Sequence, residues 1–412
     1  MSAVPDVERM QHPHAEPLCT QKKATAAPPR REKESLATAA LDYVLPADRI
    51  ATHPVEPRDS ARMLVLRRGD ASRIEHRLVR DLPEYLHAGD ALVFNNTAVA
   101  PARLEMRRAS GGRVEGLFLQ ETGRQQWSVM LRSGGRIGLG ERLTLIDRDD
   151  RPTNLTLRIV EHRDEQWTVA LEAASQAMST AEALDRVGRT PLPPYIIKAR
   201  HEHHETYRDV DDQRWYQTVY ADAARRQSVA APTAGLHFTP ELLNRIESLG
   251  VQRVDVTLHV GPGTFKPVTA ATLAEHQMDS EWFEVGEEAI KSMREVRRGR
   301  GGGGGGGGGG DGDAIIAVGT TTVRTLESLP ADALIGSDCC GGFRGSTDLL
   351  IAPPYAFRHI DGMLTNFHLP RSTLLALVAA LVGLDRLLEA YREAIARGYR
   401  FYSYGDAMLI LP

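Results

Sequence analysis

The sequence predicts an α/β protein, with a mixed-sheet α/β domain that carries a small inserted antiparallel β-barrel. Three observations predict it. Beyond Gln217, apolar strand-like runs alternate with helical ones, the pattern of a largely parallel or mixed sheet. Between Leu104 and Val187 the texture changes to short strand-like runs separated by Gly, Asp and Arg turns, as in a small barrel. Proline-rich breaks at His53–Asp59 and Pro191–Tyr195 punctuate the chain.

Taken in order, residues 1–40 hold five prolines, no aromatic residue and no apolar run of signal-peptide length, so a disordered tail is expected. Ordered structure is expected from near Leu41. Met63–Leu66 and Ala91–Phe94 read as strands, the second running into the turn Asn95-Asn96-Thr97. The barrel strands are Val114–Leu119, Trp127–Leu131, Arg142–Ile146, Leu155–Val160 and Trp167–Leu171. Pro191-Leu-Pro-Pro-Tyr195 is too rich in proline for a helix or a central strand. Thr239-Pro240-Glu241 starts a helix, with Thr as N-cap and Pro in the first turn, and Gly250 stops it. Val254–Val260 alternates, which puts Asp255, Thr257 and His259 on one face and the apolar residues on the other. The glycine run Gly301–Gly310, inside a loop spanning 299–313, cannot hold one conformation cheaply and is expected to be flexible. Ala314–Val318 is then a strand, Thr320–Leu329 a helix, Met363–His368 a strand and Arg371–Leu381 an apolar helix. The expected domains are therefore the tail 1–40, an α/β catalytic domain from 41–103 and 188–412, and the inserted barrel 104–187.

Composition narrows the function classes. The chain has 50 Lys+Arg against 54 Asp+Glu and a net charge of −4, so it is not a polycation that holds nucleic acid by bulk charge. No apolar run approaches the ~18 residues of a spanning helix. Cys19, Cys339 and Cys340 form neither a disulfide framework nor a CxxC metal site, so a reducing cytoplasm is the expected compartment. No GxSxG elbow, Walker loop or GxGxxG after a strand occurs, which speaks against an ordinary hydrolase, NTPase or Rossmann dehydrogenase. His201-Glu-His-His204 has ligand-like spacing but lies in a charged loop, and no metal is expected.

Ligands of open α/β sheets collect beyond the carboxyl ends of strands. Several polar residues are predicted to stand there: His237 at the end of the small-residue loop Ala230–Phe238, and His259 before Gly261-Pro-Gly263-Thr264-Phe265. Gly319-Thr320-Thr321-Thr322, Asn366 with His368, and Tyr404 with Asp406 complete the set. Taken singly, a histidine at a strand end is more often a structural hydrogen-bonding residue, and a threonine cluster before a helix is usually a cap.

Together the segments are far more specific. Ser228-Val-Ala-Ala-Pro-Thr-Ala-Gly-Leu-His-Phe238, Val256-Thr-Leu-His-Val-Gly-Pro-Gly-Thr-Phe265, Val318-Gly-Thr-Thr-Thr-Val-Arg324, Leu364-Thr-Asn-Phe-His-Leu-Pro370 and Ser403-Tyr-Gly-Asp-Ala-Met408 resemble the S-adenosylmethionine:tRNA ribosyltransferase-isomerase family. The resemblance runs from about residue 41 to the end. It implies transfer and isomerisation of the ribosyl part of S-adenosylmethionine onto 7-aminomethyl-7-deazaguanine at the tRNA wobble position. Epoxyqueuosine would form, and adenine and methionine would leave. Such a reaction needs a base beside the sulfonium and an acid behind adenine. His237, His259, His368, Glu281 and Asp406 are the candidates, with roles among them open. Thr233, Gly235, Gly261, Gly263, Thr264, Phe265, Thr320, Thr321, Thr322, Arg324, Asn366 and Tyr404 are the candidate substrate contacts, and Trp282 is a further aromatic face for the sulfonium.

The implied partners are tRNA and S-adenosylmethionine, the latter a co-substrate with no further cofactor, for a cytoplasmic monomer without membrane contact. Phosphates would be held by a local patch, with Arg103, Arg107, Arg108, Arg113 and the Arg294–Arg300 cluster nearest to hand. The chain departs from the family pattern at Ala98, Asp279, Ala352 and Ala356, where the family carries Arg, His, an aromatic and Arg. Two alternatives follow: a divergent relative that uses another acceptor, and a catalytically silent RNA-binding module.

Overall fold

The computed structural model describes residues 36–173, 178–265, 268–301, 313–335 and 341–412, without the side chains of Ala71, Ser72, Ala173, Thr264, Phe265 and Arg300. Most of the expected tail, the glycine run beyond Gly301 and all three cysteines lie outside the described residues.

In chain order the first strands are β1 (Arg62–Arg67), β2 (Asp70–Leu78), β3 (Ala91–Asn95) and β4 (Ala98–Val99). Six follow in the middle: β5 (Arg103–Arg108), β6 (Arg113–Gly123), β7 (Gln126–Ser133), β8 (Arg142–Ile146), β9 (Pro152–Arg163) and β10 (Gln166–Ala173). Later come β11 (Arg226–Ser228), β12 (Gln252–Leu258), β13 (Glu281–Val285) and β14 (Ile315–Val318), then β15 (Phe343–Thr347), β16 (Gly362–Asn366) and β17 (Ala407–Leu411). Nine of them form one mixed sheet in the order β15-β13-β12-β3-β14-β16-β17-β1-β2.

That sheet is apolar on both faces, as its near-continuous hydrophobic strands require. Leu64, Leu66, Val93, Ala317 and Met363 point into one core, under the helices Glu287–Gly301, Thr320–Glu327, Thr373–Val382 and Leu384–Ala396. Met63, Val65, Leu92, Phe94, Ile316 and Leu364 point into the other, against Leu242, Leu243 and Ile246 of the helix Pro240–Ser248. The Thr239 hydroxyl accepts the Leu242 N–H at 3.2 Å, the expected N-cap, and Gly250 has φ 83° just past the helix end.

Direction places the site. β12, β3, β14 and β16 run parallel. β17 is antiparallel to β16 and β13 antiparallel to β12, while β1 runs parallel to β17. The carboxyl ends of four strands and the amino ends of β13, β17 and β1 therefore share one edge.

The six middle strands are all antiparallel, and each pairs with two others, so their ladder closes on itself. Trp127, fully buried, centres a separate core with Leu104, Met106, Val114, Leu157 and Val169. Two departures from expectation are physical. β5 is an additional strand lying across the expected boundary at 104; Arg103, Arg107 and Arg108 were expected as a phosphate patch, yet Leu104 and Met106 turn inward between them as strand residues. The Pro191–Tyr195 break was expected to exclude helix, but a helix starts inside it at Pro194. A proline at the first helical position lacks only an N–H that has no intrahelical partner anyway.

Candidate active site

The shared edge gathers the polar residues in two linked groups. In the first, Asn95 at the end of β3 is a buried clamp. Its amide oxygen accepts the backbone N–H groups of Leu258, at 3.0 Å, and Thr97, at 3.2 Å. Its amide nitrogen donates to the Leu258 carbonyl, at 3.0 Å, and to the Thr321 hydroxyl, at 3.3 Å. One side chain thus ties the ends of β3 and β12 to the first turn of the helix after β14. Beside it, His259 Nδ1 lies 2.9 Å from the Thr97 hydroxyl, and the imidazole stacks on the Trp282 indole with ring centroids 5.1 Å apart. Glu281 Oε1 accepts the Gly261 N–H at 2.9 Å, and the same carboxylate is ion-paired with the buried Arg324.

The second group sits at the ends of β16 and of the loop that Ser228 opens. The Ser228 hydroxyl accepts the Val260 N–H at 2.7 Å and Val229 donates to the Val260 carbonyl at 3.0 Å, which joins the two groups. The loop ends in a 3₁₀ turn, Thr233–His237. A Cβ on Gly235 would lie 1.8 Å from the Tyr220 hydroxyl, so only glycine fits there. The Asn366 amide nitrogen donates to the Tyr402 carbonyl, at 3.0 Å, and faces His237 Nε2 at 3.2 Å. Because that nitrogen can only donate, His237 Nε2 accepts and its proton resides on Nδ1. The Asn366 carbonyl oxygen and the Tyr404 hydroxyl are buried with no hydrogen-bond partner among the described residues. Unsatisfied buried polar atoms cost free energy, and a ligand that pairs with them recovers it.

Burial sets the protonation of these rings. It pulls His237 down to about 4, with the Arg400 and Arg58 cations adding to the effect. It lowers His368 to about 3. His259, half-buried, is also lowered by burial and then by Arg225, against a smaller opposing pull from Glu284. Three imidazoles are therefore neutral near pH 7. Asp406 moves the other way: burial raises its carboxyl, although it accepts the Arg62 and Arg400 N–H groups at 2.9 and 2.8 Å.

Several expected contacts are already engaged within the fold. The Thr322 hydroxyl donates back to the Val318 carbonyl at 2.7 Å, and Arg324, 3% exposed, is spent on Glu281 and the Leu349 carbonyl. His368 Nε2 lies 2.8 Å from the Thr365 hydroxyl. Asp279, at one departure from the family pattern, packs so close that a Cβ on Gly263 would meet its carboxylate at 2.1 Å. The side chains of Thr264 and Phe265 are outside the described set.

Parts of the expected arginine patch are also spoken for. Arg294 is buried and donates to the Ala333 carbonyl at 2.8 Å, and Arg297 grips Asp361 with two bonds of 2.9 and 2.7 Å. Arg108 and Arg113 pair with Glu141 and Glu105. Arg107 and the paired Arg113 line a cavity of about 440 Å³ beside the six-stranded ring, together with Arg189, Glu105 and Asp150. Among the described residues no group of His, Cys, Asp or Glu is arranged to hold a metal ion. Asn95, Thr97 and Ser228 were not among the expected site residues. The available signal was three consecutive polar residues, Asn95-Asn96-Thr97, directly after an apolar strand.

Comparison with known proteins covers nearly the whole chain. Residues 38–410 match the family model described as queuosine biosynthesis protein. The S-adenosylmethionine:tRNA ribosyltransferase-isomerase of Thermotoga petrophila is 45% identical over 375 residues, covering 90% of this chain and 98% of that one. The Thermus thermophilus protein of the same name is 45% identical over 374 residues, covering 90% and 99%. That of Nostoc sp. is 42% identical over 392 residues, covering 91% of each. A crystal structure of S-adenosylmethionine tRNA ribosyltransferase from Thermotoga maritima is 35% identical, covering 90% of this chain and all of that one, with a TM-score of 0.47.

Proposed function

The chain belongs to the queuosine biosynthesis protein family, and from that premise we propose how its strand-end edge serves the family's reaction. It is an S-adenosylmethionine:tRNA ribosyltransferase-isomerase. It moves the ribosyl part of S-adenosylmethionine onto 7-aminomethyl-7-deazaguanine at the tRNA wobble position and rearranges it, with adenine and methionine leaving. The observation that carries the assignment to this edge is its two neutral imidazoles in linked groups: His259 bonded to Thr97, and His237 bonded to Asn366, whose carbonyl oxygen has no partner among the described residues.

His259 takes the proton beside the sulfonium, and His237, whose Nδ1 carries a proton, is the donor toward departing adenine. Asn366 and Tyr404, with buried polar atoms unfilled, bind the donor's polar groups, as do the loop Thr233–Gly235 and the turn from Gly261 to Phe265. Trp282 offers an aromatic face to the sulfonium. Glu281, Arg324, His368, Asp406 and Thr320–Thr322 hold these groups in place. S-adenosylmethionine is a co-substrate with no further cofactor or metal. The six-stranded ring is an inserted barrel domain, expected over 104–187 with its first strand opening at Arg103, and Arg107, which lines its cavity, meets tRNA phosphate. A cytoplasmic, monomeric enzyme is the form proposed, and no helix among the described residues is long and apolar enough to cross a membrane.

The test is incubation with S-adenosylmethionine and tRNA bearing 7-aminomethyl-7-deazaguanine. Adenine and methionine release with a modified wobble nucleoside is the expected result. Release only with another acceptor would assign a different substrate, and tRNA binding without release would leave a binding module.

A further inference from the structure

Thr97 is fully buried, and its single hydroxyl proton has two neighbours: the Arg225 carbonyl oxygen at 3.3 Å and His259 Nδ1 at 2.9 Å. A carbonyl oxygen can only accept. Both contacts are hydrogen bonds in one arrangement alone: the threonine O–H donates to Arg225, and His259 Nδ1–H donates to the threonine oxygen. The imidazole then carries its one proton on Nδ1, and Nε2 keeps its lone pair. Nε2 has no hydrogen-bond partner among the described residues, and the Trp282 indole, 38% exposed, lies parallel to the ring. Stacking fixes the plane of the imidazole while Thr97 fixes its rotation and tautomer.

We infer that Thr97 is the positioning residue of this site, locking His259 as the Nδ1–H tautomer so that Nε2 is the proton acceptor. Thr97 is itself held, because its backbone N–H donates to Asn95, the residue that clamps the end of β12 to the helix Thr320–Glu327. The charged groups facing the ring are Arg225, from the 3₁₀ turn Ala223–Arg225, and Glu284 of β13, which pair with each other at 2.5 Å. Arg225 and Glu284 act on the ring in opposite senses, and the hydrogen bond to Thr97 decides the tautomer. In the proposed reaction the C–H bond beside the sulfonium breaks, the proton joins Nε2, and the electron pair stays on carbon next to the positive sulfur. The inference rests on the reaction proposed above for its catalytic consequence but not for the tautomer itself.

Nitrogen NMR of the full-length protein reads the tautomer directly, with the His259 signal identified by its absence in His259→Gln. The wild-type ring is expected in the Nδ1–H form, and Thr97→Val is expected to release it to the Nε2–H form or a mixture. In adenine-release assays Thr97→Val should lower kcat by about 10- to 100-fold with KM for S-adenosylmethionine nearly unchanged, and Thr97→Ser should restore most of the rate. A wild-type ring in the Nε2–H form overturns the inference, and that spectrum decides even if the valine variant fails to fold. A Thr97→Val protein with the wild-type tautomer and a wild-type kcat overturns it too, as does a lowered Tm with no change of tautomer. Absence of adenine release from the wild type would count against the proposed reaction, while the spectrum would still decide the role of Thr97.

Discussion

Three imidazoles stand along one sheet edge, and their surroundings divide the work between them. His368 is enclosed, with its Nε2 against Thr365, whereas His259 is half-buried with Nε2 unengaged among the described residues. Replacing His259 by Gln keeps the size and the Thr97 contact but removes the base, so the rate of adenine release should fall by roughly 100-fold or more with Tm nearly unchanged. Buried neutral rings also make stability depend on pH. Folded values of about 4 for His237 and about 3 for His368 lie below the ordinary histidine value, so the unfolded chain protonates first as the pH drops. Their contribution is complete above pH ~6.5 and is lost as the pH falls toward the folded values, by about 3 kcal/mol for His237 alone. Asp406, raised by burial, works in the opposite sense. His368→Gln removes one titrating ring, so its Tm should decline less steeply than wild type between pH 6.5 and 4 in a thermal-unfolding series. Sequence placed these histidines at strand ends. It could not show that Thr97, distant in the chain, meets His259, because strand pairing across 162 positions creates that contact.

At the scale of elements, polar links between strand ends hold the edge together. Glu281 at the start of β13 reaches both the Gly261 backbone and Arg324 of the helix after β14, with the ionic groups almost wholly enclosed. Glu281→Ala leaves Arg324 buried and uncompensated, and a loss of ~3–5 kcal/mol is expected in denaturant unfolding. The double change Glu281→Met with Arg324→Met should recover much of it, since desolvation then costs nothing. Most elements were legible because their signals are local: the alternation of Val254–Val260, the Thr239 cap, the Gly250 stop. Two were missed. Proline composition hid the helix starting at Pro194, and β5 was passed over although Arg103-Leu-Glu-Met-Arg107 alternates charged and apolar residues; its Glu105 pairs with Arg113 across the β5–β6 hairpin.

At the scale of the whole molecule, the apolar side chains of the described residues pack in four clusters: one on each face of the nine-stranded sheet, one in the six-stranded ring around Trp127, and a smaller one with Val99, Leu192, Ile196 and Leu236. Truncating Trp127 to Ala should cost ~3–5 kcal/mol. Hydrogen exchange should show that loss within β5–β10, with protection of β3 and β14 retained. The near-neutral total charge of −4 also takes on a local meaning, since Arg294 and Arg297 of the helix Glu287–Gly301 are consumed by internal bonds while Arg107 lines the ring cavity. The central claim is that the strand-end edge is where S-adenosylmethionine is broken. Single-turnover adenine release, with enzyme in excess over S-adenosylmethionine and acceptor tRNA present, tests it most directly. Stoichiometric release by the wild type and its near-abolition in His259→Gln is the predicted result, and equal release by both proteins would contradict it.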